Sequence, residues 1–211
     1  MNFLPEALAQ YIEAHTSPQP PLLQQLERET WLKRLHPGMI SGAYQGTFLK
    51  MFSYMIRPKA VLEIGTYTGF SAICLAQGLQ EDGVLHTIEI NEELENPIRH
   101  YFKEAGLADK IQLHIGNALD LVPTLEMDFD LVFIDADKIN YSRYYDLIFD
   151  NIKKGGFILV DNTLWFGKVL EKEQDDDTAA IHALNEKIQN DPRVENVLLG
   201  LRDGLMLVRK C

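Results

Sequence analysis

The sequence predicts a doubly wound α/β fold built on one mostly parallel sheet of seven strands, and three observations carry that prediction. From residue 58 onward, short apolar runs alternate with amphipathic segments, the pattern of strands joined by crossover helices. The runs AVLEI, DLVFI and FILV are almost wholly apolar, as strands covered on both faces must be. The chain ends in two more strand-like runs, VENVLLGL and LMLVRK, flanking Arg202-Asp203-Gly204. That is a hairpin signal, and it makes one strand antiparallel.

The elements follow in order. Residues 5–15 place Leu8, Tyr11 and Ile12 at helical spacing, and residues 21–35 do the same with Leu22, Leu23, Leu26 and Leu32. Two amphipathic helices therefore precede the core, separated by the helix-breaking stretch SPQPP. HPGMISGAYQG reads as a glycine-studded loop, with a helix starting at TFLKMFSYMIR. Pro58 announces the first strand, AVLEI, which is followed by the helix SAICLAQGL and the strand VLHTIEI. A helix over residues 94–105, the strand IQLHI and a short helix over residues 119–125 come next. The strand DLVFI then leads to the helix YSRYYDLIFDNI, a turn at Gly155-Gly156 and the strand FILV. The helix TAAIHALNEKIQN stops at Asp191-Pro192, before the hairpin. With no repeat and no linker of disordered composition, residues 1–211 form one domain. Residues 1–57 supply helices and a covering loop, and residues 58–211 the core.

Bulk composition narrows the function. A hydrophobic fraction of 46% with 24% charged residues is that of a soluble globular chain. A net charge of −11 argues against a nucleic-acid surface or docking on anionic lipid. Cys74 and Cys211 form no disulfide framework and no metal-ligand spacing, which suits a reducing, cytoplasmic compartment. MNFLPEALAQYIEAH lacks the basic region and long apolar stretch of a signal peptide, and no run of 18 apolar residues would span a membrane.

Two acidic stations carry the chemistry. Asp135 in FIDADK and Asp161-Asn162 in ILVDNTLW each follow a buried-strand run. Strands of a parallel sheet deliver their C-terminal ends to one edge, where such folds bind ligands. Two carboxylates and a carboxamide there offer hard oxygen ligands of the kind Mg²⁺ prefers, with Mn²⁺ and Ca²⁺ also accommodated. Asp135 as a helix cap and Asp161-Asn162 as a turn are the alternative structural roles. The run at residues 175–177 reads as helix N-terminal charge, and His36, His86, His100, His114 and His182 show no ligand spacing.

Upstream, Glu63-Ile-Gly65-Thr-Tyr67-Thr-Gly69 sits where a strand gives way to a helix. Its spacing is G-x-x-x-G, not the G-x-G-x-x-G that cradles a dinucleotide pyrophosphate. An NAD-linked oxidoreductase is disfavoured on that ground. Glu89 closes the next strand, where an acidic side chain bonds a ribose hydroxyl. Glu63 adds negative charge beside the turn. A nucleoside with a ribose and a cationic sulfonium, S-adenosylmethionine, fits both. A non-catalytic cofactor- or metal-binding module is the remaining alternative.

Here the chain resembles the metal-dependent class I S-adenosylmethionine O-methyltransferases of the catechol and caffeoyl-CoA family. The blocks that carry the resemblance are MISGAYQG, VLEIGTYTGFSA, IEIN, GNALD, FIDADKINY, GG-FILVDNTLWFGKV and RDGLMLVRK, over residues 37–211. The resemblance implies a Rossmann-like methyltransferase fold, homodimers and an aromatic diol acceptor of the catechol or caffeoyl type. It makes Asp135, Asp161 and Asn162 metal ligands and Lys138, beside Asp135, the catalytic base. A phenol ionises near pH 10 and is a poor nucleophile until its proton is drawn off. Met39 and Ser41 match the loop over the cofactor's methionine part, Ser71 a carboxylate contact, and Asn117 and Ala118 the segment beside the adenine. With Glu63, Gly65, Tyr67, Gly69, Glu89 and Asp135, these make up the expected cofactor site. Trp165, Phe166, Tyr141 and Tyr144 are candidates for a wall around an aromatic ring, with Lys138 facing the substrate. Two positions depart from the pattern. Ser41 is followed by Gly42 rather than proline, and Val197 falls near the glutamate that the animal catechol enzyme places before its last hairpin.

Overall fold

The computed structural model describes residues 5–211. Residues 1–4, where the reading of the N-terminus as no signal peptide begins, lie outside the described residues. Two helices, α1 (Glu6–Ala14) and α2 (Pro21–Lys33), come first, then α3 (Gly42–Ile56). The core alternates β1 (Ala60–Ile64), α4 (Phe70–Ala76), β2 (Val84–Glu89), α5 (Glu95–Glu104), β3 (Ile111–Ile115), α6 (Ala118–Leu121), β4 (Phe129–Ile134), α7 (Tyr141–Phe149) and β5 (Ile152–Asp161). After α8 (Asp176–Gln189), the hairpin β6 (Val194–Leu199) and β7 (Leu205–Lys210) closes the chain. The seven strands stand in the order β3-β2-β1-β4-β5-β7-β6. Among the described residues, only the pairings of β7 with β5 and β6 are antiparallel. No helix among the described residues is long and apolar enough to cross a membrane.

Register is what builds the site. Ile64 pairs with both Ile88 and Ile134, and Ile134 pairs with Val160. The residues that follow, Gly65, Glu89, Asp135 and Asp161, are therefore brought to one edge. The strand order reverses between β1 and β4, and crevices open at such reversals. The strands bury alternate residues in opposite layers. Leu131 and Phe133 pack with α2, α3, α4 and α5, while Val132 and Ile134 pack with α7 and α8.

Two sequence expectations need correction. The helix expected to begin at Thr47 begins at Gly42 instead. Gln45 and Thr47 are buried there, and a buried backbone needs internal hydrogen bonds that a loop would leave unmade. Gly155-Gly156 is not a turn before a strand. β5 runs through it from Ile152, and the pairing with β4 shifts register between Phe129 and Leu131. The run at residues 175–177 is confirmed as helix-start charge, with Asp175 capping α8 through the N–H of Thr178.

The approach of α3 to the segment that follows α4 depends on the missing side chain at Gly78. A Cβ on Gly78 would fall 2.2 Å from the backbone carbon of Ser53. Gly78→Ala should therefore lower stability by about 1–3 kcal/mol through overpacking, measured by urea denaturation. An unchanged midpoint would mean the two segments are free to separate.

Candidate active site

Asp161 ends β5 with 2% of its surface exposed. Its Oδ2 accepts from Gln45 Nε2 at 2.7 Å, and its Oδ1 from the Asn162 N–H at 2.8 Å. Burial, and then the charge of Asp135, push its pKa up to about 7. Asp135 begins the loop after β4, its N–H donating to Ile64 O at 2.9 Å. Lys138 Nζ lies 3.2 Å from Asp135 Oδ1, 2.9 Å from Ala136 O and 2.5 Å from Tyr141 Oη. Tyr141 Oη in turn donates to Asp161 O at 3.2 Å. Lys138 is buried, so it is not the solvated lysine that its type suggests in isolation.

The turn after β1 shares this edge. Gly65 has φ of +100°, and a Cβ there would fall 1.9 Å from Asp135 O. The ends of β1 and β4 meet too closely for any side chain. Glu89 is held by two backbone donors, Tyr67 N–H to Oε2 at 2.7 Å and Asn91 N–H to Oε1 at 2.9 Å. Met39, Ser41, Gly65, Tyr67 and Ser71 line the recess around the turn, and Glu89 and Ala118 continue the cleft beyond it. Three expected cofactor residues stand back from it. Gly69 packs against the Phe102 ring, so closely that a Cβ there would fall 2.8 Å from the ring edge. Asn117 is exposed and caps α6 through the Leu119 N–H. Glu63 is fully buried behind the turn, where it accepts from the Thr87 hydroxyl and leaves Oε1 unpaired. Burial pushes Glu63 up to about 8, so it does not supply the bare negative charge expected of it at neutral pH.

The cleft itself is open and about 1470 Å³, more than one small ligand needs. Trp165 and Phe166 line it, as does Tyr144, whose hydroxyl donates to Asp137 Oδ1. Tyr141 does not. It is wholly buried, and its part is to brace Lys138 and Asp161 from behind. The loop after β5 is bent hard, with positive φ at Asn162 (58°), Trp165 (44°) and Phe166 (56°). Strain of that kind persists only where its surroundings hold it. Asp203 does so, its Oδ1 accepting the Phe166 N–H at 2.6 Å.

Several contributors carry no signal in the sequence. Arg202, which reads there only as part of a turn, donates to Ile40 O at 3.0 Å, to Ser41 O and to Gln45 Oε1 at 3.1 Å. It ties the hairpin turn to the covering loop and, through Gln45, to Asp161. The N-terminal helices add Ile12 and Trp31 to the cleft wall. His86 and His114 pair at 2.9 Å between β2 and β3, outside the cleft.

Whether a cation suits this edge follows from its charges. Among the described residues no three His, Cys, Asp or Glu side chains are grouped to hold a metal ion. The set here is two carboxylates and the Asn162 carboxamide. A carboxyl raised by burial and then by a neighbouring carboxylate lacks positive charge, and hard oxygen donors are what a divalent cation such as Mg²⁺ takes. The residues fit the ion.

The family model described as "O-methyltransferase" matches residues 13–211. The chain is 36% identical to caffeoyl-CoA O-methyltransferase 2 of Eucalyptus globulus, covering 97% of this chain and 89% of the relative. It is 34% identical to caffeoyl-CoA O-methyltransferase 5 of Nicotiana tabacum, over 97% and 91%. Among solved structures, the SAH complex of a Bacillus cereus O-methyltransferase matches with a TM-score of 0.90, 29% identity and 97% of each chain covered. The SAH-bound Podospora anserina methyltransferase PaMTH1 also gives 0.90, at 26% identity, over 100% of this chain and 99% of that one.

Glu63 yields a pH signature. Its value in the fold, about 8, lies above the ordinary 4.5. Its contribution to stability is therefore fully present below about pH 4.5 and is lost as pH rises through about 8. Glu63→Gln should gain on the parent chain across that window in urea denaturation. A stability difference that stays level would show that Glu63 is not proton-linked to folding.

Proposed function

Because the chain belongs to the O-methyltransferase family, we propose that it moves a methyl group from S-adenosylmethionine to one hydroxyl of a vicinal dihydroxy aromatic, with a divalent cation at Asp135, Asp161 and Asn162. The observation that carries this reading is the meeting of the Gly65 turn with the Asp135–Asp161 pair in one cleft. When bound, the cofactor supplies an electrophilic methyl on a cationic sulfur, and the cation makes an adjacent hydroxyl more acidic.

The chain's own groups do the rest. Glu89, fixed by two backbone donors, keeps lone pairs free for a ribose diol. Ser41 and Ser71, both buried beside the turn, face the amino-acid end of the cofactor. Lys138 Nζ, braced by Tyr141 Oη, is placed to take the proton from the attacking hydroxyl. One S–C bond breaks and one O–C bond forms, giving the methyl ether and the neutral thioether, and the proton passes from Lys138 to solvent. Trp165 and Phe166 flank the acceptor ring and keep water from the methyl. Homodimers are part of the proposal, supported by Leu32, Met51, Tyr54 and Met55, which are left exposed. So is a reducing, cytoplasmic setting, supported by the two free cysteines.

The test is methyl transfer to 3,4-dihydroxybenzoate or a caffeoyl ester, with Mg²⁺ and with EDTA. Product should form only with the metal. Lys138→Met should slow transfer by about 10²- to 10⁴-fold, with cofactor affinity by calorimetry little changed. Equal rates in EDTA would remove the cation from the account, and full activity in Lys138→Met would remove the base.

A further inference from the structure

Two loops serve the two halves of this cleft, and the Arg202 side chain spans them. The loop after β5 carries Asn162, Trp165 and Phe166, and the hairpin turn is fastened to its backbone. Thr163 N–H donates to Gly204 O at 3.1 Å, Leu164 N–H to Asp203 O at 2.9 Å and Phe166 N–H to Asp203 Oδ1 at 2.6 Å. A Cβ on Gly204 would fall 2.6 Å from Leu164 N. The two segments are in close contact, so neither can shift without the other.

From this turn Arg202 reaches the other loop. Its backbone is held at a φ of +50°, and its Nη1 donates to Ile40 O at 3.0 Å, to Ser41 O and to Gln45 Oε1 at 3.1 Å. Among the described residues, the bonds to Ile40 and Ser41 are those that join the covering loop to the hairpin. Ser41 is buried and, with Met39, lines the recess around the Gly65 turn. Gln45, one turn into α3 and wholly buried, passes the contact on, its Nε2 donating to Asp161 Oδ2 at 2.7 Å. A guanidinium only donates and a carboxylate only accepts, so one orientation of the Gln45 amide serves both.

We propose that Arg202 and Gln45 are positioning residues that couple the two halves of the site: a cofactor that orders the covering loop readies Asp161 for the cation, and the cation tightens the hold on the cofactor. The inference rests on the function proposed above. Fixing Ile40 and Ser41 against a cofactor fixes two acceptors of Arg202. The guanidinium then holds the Gln45 amide, and through it the Asp161 carboxylate, in one arrangement. Ordering done by the first ligand need not be repeated for the second, which binds more tightly, and the effect is reciprocal. Direct charge works the other way, because a sulfonium and a divalent cation repel each other. S-adenosylhomocysteine has a neutral sulfur, so with it that repulsion is absent and the relay is read alone.

The experiment is a calorimetric cycle on the parent chain, Gln45→Met, Arg202→Met and the double variant. It measures the Kd of Mg²⁺ with and without saturating S-adenosylhomocysteine, and the Kd of S-adenosylhomocysteine with and without Mg²⁺. In the parent each ligand should tighten the other by about fivefold or more, with the same factor in both directions. Either single variant should bring the factor down to about one, and the double variant should lose no more than a single one, because both residues act in one relay. Arg202→Lys, which keeps a donor, should retain part of it. The factor is the readout, since misfolding lowers the number of binding sites and leaves the ratio of affinities alone. A factor that survives both single variants, or a parent chain that binds the two ligands independently, would overturn the inference and leave the O-methyltransferase reading standing. A parent chain that takes up no Mg²⁺ would overturn the inference and the cation of the proposed function together.

Discussion

The rest of the site is arranged around one buried acid, Asp161 at the end of β5, with the charge of Asp135 after β4 acting on it. Asp161 is almost wholly buried, and its raised pKa reflects that burial first and Asp135 second. Gln45 and the Asn162 N–H each give one hydrogen bond to Asp161, and Lys138 gives one to Asp135. Those donors offset part of the desolvation, and a bound cation would complete the balance.

Getting the pair to this position is the business of the whole fold. Aligned register in β1, β2, β4 and β5 brings four loop starts to one edge, and Gly65 lets the β1 end pass against Asp135 O. From the other side, the hairpin turn contributes two adjacent residues with different tasks. Arg202 draws in the covering loop and Gln45, and Asp203 holds the bent backbone at Phe166. The C-terminal hairpin therefore shapes the site as well as closing the sheet.

How much of this was legible in the sequence depended on the range of the interactions. Strands and the acidic stations were readable because an apolar run followed by Asp states both burial and position locally. The seven strands, the hairpin and the membership of the family all follow from such local signals. Tyr141 was misplaced because its spacing from Lys138 gives no hint of which way the ring points; it points inward, to Asp161 O. Glu63 was misjudged because its charge was taken at face value, whereas a carboxyl in the middle of a packed strand end is neutralised by desolvation. Gln45 and Arg202 act across 116 and 157 residues of chain separation, and no window of sequence contains such a contact. The early start of α3 has the same origin, since only tertiary burial turns that glycine-rich stretch into a helix.

Calorimetric titration of Mg²⁺ into the protein saturated with S-adenosylhomocysteine tests the central claim, that the Asp135–Asp161 pair is built to be balanced by a cation. The account predicts one site per chain, lost in Asp161→Ala, with the Asp161→Ala protein still binding S-adenosylhomocysteine. Absence of Mg²⁺ binding in the parent protein, or binding that survives Asp161→Ala unchanged, would contradict it.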